Sequence, residues 1–78
     1  MANYLIIARL IRDSGKRTHP SLMSYKTVAD AVEDALGLFI AEYGAYVVGD
    51  VKSRGHQAVA DVTMDDDLYR VLALPSTT

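Results

Sequence analysis

The sequence contains no cysteine. Disulfide bonds and thiolate metal sites are therefore excluded, and stability must come from packing within the chain or between subunits. This composition fits a reducing compartment, and we expect a cytoplasmic protein.

Long hydrophobic runs are absent as well. Tyr4–Leu10 is apolar over seven residues but is interrupted by Arg9. The run is too short for a signal peptide core or a membrane span. We expect a soluble protein that does not contact a membrane.

Residues suited to catalysis or metal binding are few and scattered. His19 and His56 are 37 positions apart, whereas metal sites need clustered ligands. The segment Asp65–Asp67 lacks the glycine and the closing glutamate of a calcium-binding loop. Ser21 is two residues from His19, but no third member of a catalytic triad is evident. The sequence therefore predicts no enzyme, no metal site and no cofactor.

A chain of 78 residues has room for one domain, which buries roughly 60–65% of the surface that its unfolded chain exposes. We assign residues 1–78 to a single domain and expect residues 75–78 to form a loose tail.

The segment Thr27–Tyr43 has the apolar spacing of an amphipathic helix. Thr27 is suited to cap its start, and Gly44 to end it in a left-handed conformation. Gly37 lies inside the helix, where close backbone packing would explain it. The apolar positions are Val28, Val32, Ala35, Leu36, Phe39, Ile40 and Tyr43.

Strand-like segments flank this helix. Asn3–Arg12 is apolar on both faces, as in a central or covered strand, and Arg17–Lys26 is a weaker candidate because of Pro20. Three further runs follow: Ala45–Lys52, His56–Met64 and Leu68–Leu74. The fold class predicted is α+β, with one helix packed on a mainly antiparallel sheet in the order β-β-α-β-β-β.

Charge is distributed unevenly along the chain. Residues 1–26 contain five Lys and Arg residues and one acid, whereas residues 27–78 contain three and nine. The acidic part predicts a surface for a basic protein partner, although acids near a helix N-terminus also suit the helix dipole. The candidate partner-binding residues are Asp30, Glu33, Asp34, Glu42, Asp65, Asp66 and Asp67.

The basic part predicts an alternative, a nucleic-acid-binding hairpin. Its candidate residues are Arg12, Lys16, Arg17 and Lys26, with tyrosines nearby on which bases could stack. No RNA-recognition or helix-turn-helix pattern accompanies them.

The order of elements resembles that of the small phage- and mobile-element-encoded anti-CRISPR proteins. The chain opens on the strand-like segment from Ala2 to Ala8, continues into the alanine-rich acidic segment from Thr27 to Ala35, and closes with a short meander. The resemblance implies a non-enzymatic inhibitor in the cytoplasm of a bacterial host cell. Such an inhibitor would bind a CRISPR effector complex and block target-DNA recognition or nuclease recruitment. A homodimer joined through a sheet edge or tyrosines is compatible with this hypothesis and with the nucleic-acid alternative.

Overall fold

The computed structural model describes residues 1–16 and 19–76. One helix lies on one face of a five-stranded antiparallel sheet, which confirms the predicted class and element order. The elements are β1 (Ala2–Arg12), β2 (Leu22–Ala29), α1 (Val32–Tyr43), β3 (Tyr46–Arg54), β4 (Gln57–Met64) and β5 (Asp67–Pro75).

The strands are arranged in the order β2-β1-β5-β4-β3. Strand β5 is therefore the central strand, β1 and β4 flank it, and β2 and β3 form the two edges. The β4–β5 hairpin turns on Asp65 and Asp66, whose φ angles are 51° and 72°. Two successive left-handed residues are typical of a type I′ turn, which aspartate tolerates better than most side chains.

The helix begins later than the sequence pattern predicts. Thr27 and Val28 belong to β2, where they pair with Tyr4 and Asn3 of β1. The residue before the helix is Ala31, which provides no side-chain cap, so the expected Thr27 cap is wrong. These β-branched residues complete strand hydrogen bonds with β1, and tertiary pairing outweighs the helical spacing of Val28.

The core lies between α1 and the covered face of the sheet. The helix buries Val32, Ala35, Leu36 and Phe39. The sheet contributes alternate residues of its strands: Tyr4, Ile6, Ala8, Met23, Ala58, Ala60, Val62, Met64, Tyr69, Val71 and Ala73. Small alanines at the sheet centre let the helix approach closely, and the larger side chains fill the space around it.

The glycines of the helix have different roles. Gly44 ends α1 with φ 61° and ψ 34°, as predicted. Gly37 is exposed, and a Cβ placed on it would have no neighbouring atom within 4 Å, so close packing within the chain does not explain this glycine.

Pro75 and Ser76 do not form the loose tail that the sequence predicts. Pro75 is the last residue of β5, and the Ser76 N–H donates a hydrogen bond to the Asn3 carbonyl at 2.8 Å. Both residues therefore belong to the sheet, and residues 77–78 lie outside the described residues.

Candidate interaction surfaces

Three of the predicted acidic residues lie at the start of α1. Glu33 and Asp34 are in its first turn and are exposed. Glu33 accepts a hydrogen bond from the Ser53 hydroxyl at 2.9 Å. Asp30, just before the helix, lies 3.7 Å from the amino group of Met1. This group faces solvent at the end of the molecule where β1 begins.

The remaining acids are near the other end of the helix. Glu42 is exposed in the last turns of α1, and Asp65 and Asp66 are exposed in the β4–β5 turn. His19 links α1 to the β4–β5 turn. Its Nε2 lies 3.3 Å from Asp65 in the turn, and its ring contacts that of Tyr43 in α1 edge-on. A second acidic group therefore forms near the C-terminus of α1.

Asp67 does not belong to either surface. Its side chain is fully buried, and its Oδ1 accepts a hydrogen bond from the Ser14 N–H at 2.8 Å. A partner cannot reach this carboxylate, so Asp67 is removed from the predicted partner-binding set. Its position instead indicates that it attaches the segment after β1 to the β4–β5 turn.

The acidic surface is thus a ridge along α1 rather than one cluster. A helix of 12 residues is about 18 Å long, which separates the two acidic groups. Between them the exposed side of the helix carries Gly37, Leu38 and Ala41. Leu38 is 44% exposed, so the ridge has an apolar centre and acidic ends.

Two of the predicted basic residues lie on the opposite side of the molecule. Lys26 pairs with Leu5 on the face of the sheet that α1 does not cover, which we call the open face. A bulge between Leu10 and Arg12 brings Arg12 opposite Leu68. An added residue reverses the alternation of side chains, so Arg12 shares the open face as well. Lys16 is exposed in the following loop, and Arg17 lies outside the described residues.

Sequence reasoning missed the charged residues at the centre of the open face. Arg9 and Arg70 lie directly opposite each other on β1 and β5. Arg70 donates two hydrogen bonds to Asp61, from Nε at 3.0 Å and from Nη2 at 3.4 Å. That hydrogen bonding and the negative charge of Asp61 raise the pKa of Arg70 above its usual value. Like charges opposite each other disfavour a strand pair, so this arrangement calls for a functional reason.

The rest of the open face is largely apolar. Leu5, Ile7, Leu72 and Leu74 are only half-buried, and Leu22 is 64% exposed. Consecutive apolar residues in β1 and β5, which place apolar side chains on both faces of the sheet, were a signal for this second apolar face. A shallow depression of about 370 Å³ is lined by Ile7, Arg9, Leu22, Arg70 and Leu72.

The described residues contain neither a metal-binding cluster nor a helix that could cross a membrane. Within residues 1–16 and 19–76, no three His, Asp or Glu side chains are grouped so that they could hold a metal ion. No helix in this described part is long and apolar enough to cross a bilayer.

No protein-family model, curated protein or solved structure matches the chain. Residue roles therefore have to be inferred from the acidic ridge and the open face themselves.

Proposed function

We propose that the protein is a non-enzymatic inhibitor that binds a basic protein surface through the acidic ridge of α1. The resemblance to anti-CRISPR proteins extends this proposal to a partner, a bacterial CRISPR effector complex in the host cytoplasm. Binding there would block target-DNA recognition or nuclease recruitment. Asp30, Glu33, Asp34 and Glu42 are the contact residues, and Asp65 and Asp66 extend the surface beyond the helix C-terminus.

The observation that carries this proposal concerns three acids of the ridge that lie on α1 itself. Within the described residues, no Lys or Arg forms an ion pair with Glu33, Asp34 or Glu42. The helix dipole favours the first two acids, but it disfavours an acid near the C-terminus. Glu42 therefore has no local electrostatic explanation, and a basic partner would provide one.

The shape of the ridge supports the same partner chemistry. Carboxylates on a protruding helix can occupy positions where a basic groove otherwise holds phosphates. Leu38, exposed between the acidic groups, adds an apolar contact at the centre, where interfaces tend to concentrate binding energy.

A capture experiment combined with an infection assay tests this function. The tagged protein is incubated with nuclease-treated lysate of a CRISPR-active bacterium, and recovered proteins are identified by mass spectrometry. In parallel, phage plaques are counted on that strain while it produces either the wild-type protein or the variant. We expect wild type to recover an effector complex and to restore plaques, and the triple variant Asp30→Lys, Glu33→Lys, Asp34→Lys to do neither.

A matched pair of single variants separates the ridge from net charge. Asp34→Lys reverses a charge on α1, and Asp50→Lys makes the same change on exposed β3. We expect only Asp34→Lys to weaken recovery. Equal effects of both variants, or full inhibition by the triple variant, would refute a role for the ridge.

The positions of Arg12 and Lys26 favour a second candidate, a small nucleic-acid-binding module. These two residues share the open face with Arg9 and Arg70, which concentrates positive charge on one side of the chain. If this candidate holds, binding of labelled DNA or RNA weakens as salt rises and is lost in the variant Arg12→Glu, Lys16→Glu, Arg17→Glu. If the fluorescence anisotropy of the labelled nucleic acid does not change when the protein is added at low salt, this candidate is rejected.

A further inference from the structure

The open face has the composition of a protein interface rather than of a solvated sheet. We propose that a second copy of this chain covers it, giving a two-fold symmetric dimer in which two sheets pack face to face. This contact differs from the sheet-edge or tyrosine contact predicted from the sequence, and it leaves both acidic ridges exposed.

The strand order makes such a pairing self-complementary. The two-fold axis runs parallel to central β5 and lies midway between the two sheets. It sets β1 of one copy over β4 of the other, and β2 over β3. Stacked sheets lie about 10 Å apart with their strands within about 30° of each other. Residues that lie side by side across the five strands are here called a row. Each row then faces the same row of the second copy in reverse order.

The row with most apolar residues matches itself under this axis. Across the sheet from β2 to β3 it contains Ser24, Ile7, Leu72, Val59 and Lys52. Reversing the row sets Ile7 over Val59 of the second copy and Leu72 over its own equivalent. Aliphatic side chains that are half-exposed in one chain then become buried in two.

The neighbouring row brings an opposite charge to Arg9. It contains Leu22, Arg9, Arg70, Asp61 and Val48 in the same strand order. Reversal sets Leu22 over Val48, Arg9 over Asp61 of the second copy, and Arg70 over its own equivalent, where each Arg70 keeps its hydrogen bonds to Asp61 of its own chain. Among the described residues no carboxylate forms an ion pair with Arg9, and the symmetric pairing supplies one.

The size of the face is also adequate for a dimer. Helix and sheet stack in two layers, so the sheet plane contains the two larger dimensions of the fold, 38 and 24 Å. These dimensions bound a face of about 900 Å², close to the roughly 800 Å² that each partner buries in a stable interface.

The oligomeric state and its response to one apolar substitution test this interface. We expect light scattering after size-exclusion chromatography to give a dimer mass for wild type and a monomer mass for Leu72→Asp. The control Leu38→Asp makes the same change on the exposed side of α1 and should remain a dimer. A wild-type monomer across the accessible concentrations, or loss of the dimer only in the control, would overturn the proposal.

Charge complementation in trans tests the geometry without changing the apolar residues. In a dimer of the Arg9→Asp variant, the new carboxylate faces Asp61 of the other copy. In a dimer of the Asp61→Arg variant, the new guanidinium faces Arg9. Each variant alone therefore opposes like charges. Mixing the two restores both pairs, because each contact then joins Asp to Arg. We expect about 10-fold weaker self-association for each variant alone and near wild-type association for the mixture.

Outcomes other than this complementation contradict the proposed axis. If the mixture associates no better than the separate variants, Arg9 and Asp61 do not meet across the interface. If nucleic acid protects the open face while the protein alone stays monomeric, that face belongs to the alternative function instead. Circular dichroism confirms that both charge variants are folded before either comparison is made.

Discussion

Replacing Gly37 with alanine tests how much helix propensity contributes to the stability of α1. Gly37 is exposed in the middle of α1, its φ lies in the ordinary helical range, and an added Cβ would meet no atom within 4 Å. The substitution should therefore raise the free energy of unfolding by the full difference in helix propensity between glycine and alanine, about 0.8–1.0 kcal/mol. In a domain of this size, about 1 kcal/mol corresponds to a rise in Tm of roughly 4–8 °C.

Thermal and urea unfolding followed by circular dichroism at one fixed protein concentration measure this gain. The urea midpoint should rise while the slope of the free energy of unfolding with urea stays unchanged. Gly44→Ala is the matched control, because φ 61° at that position makes the same substitution unfavourable by about 1 kcal/mol. If Gly37→Ala leaves stability unchanged or lowers it, helix propensity does not limit the stability of α1 at this position.

Two further substitutions test how the core is held together. Tyr69→Phe removes a buried hydroxyl that donates to the Pro20 carbonyl at 2.7 Å, and we expect a loss of about 1–3 kcal/mol in urea unfolding; an unchanged midpoint would show that this contact does not stabilise the loop. Phe39→Ala empties the centre of a cluster in which the Phe39 ring lies 4.8 Å from Tyr43 and 5.9 Å from Tyr25. The expected cost of about 3–5 kcal/mol is comparable to the whole stability of so small a domain, so its NMR spectrum should lose amide dispersion; a folded spectrum would contradict the proposed core.

Local residue chemistry was sufficient to predict much of the fold. Gly44 marked the helix end, and strand-like runs after it marked the three strands of the meander. The helix start was not predictable in the same way, because Val28 suits a helical stripe and a strand equally well. Its pairing with Asn3 of β1, a contact between residues distant in the chain, decides the outcome.

The candidate surfaces depended even more on long-range pairing. Asp67 looks like its acidic neighbours in the sequence, and only the position of Ser14 shows that it is buried. Arg9, Asp61 and Arg70 are separated by up to 61 positions, and the sheet order brings them into one row. The bulge after Leu10 moves Arg12 to the open face, and no single residue in that segment signals it.

We propose that the two sides of this molecule have different roles, with the open face joining two copies and the α1 ridge left free. A dilution series of ¹H–¹⁵N NMR spectra tests it most directly, because every assigned amide reports whether its surroundings change with concentration. We expect concentration-dependent shifts or broadening at Ile7, Arg9, Asp61 and Leu72, and none at Asp34, Leu38 or Glu42. Changes confined to α1, or no change anywhere from dilute to concentrated samples, would contradict it.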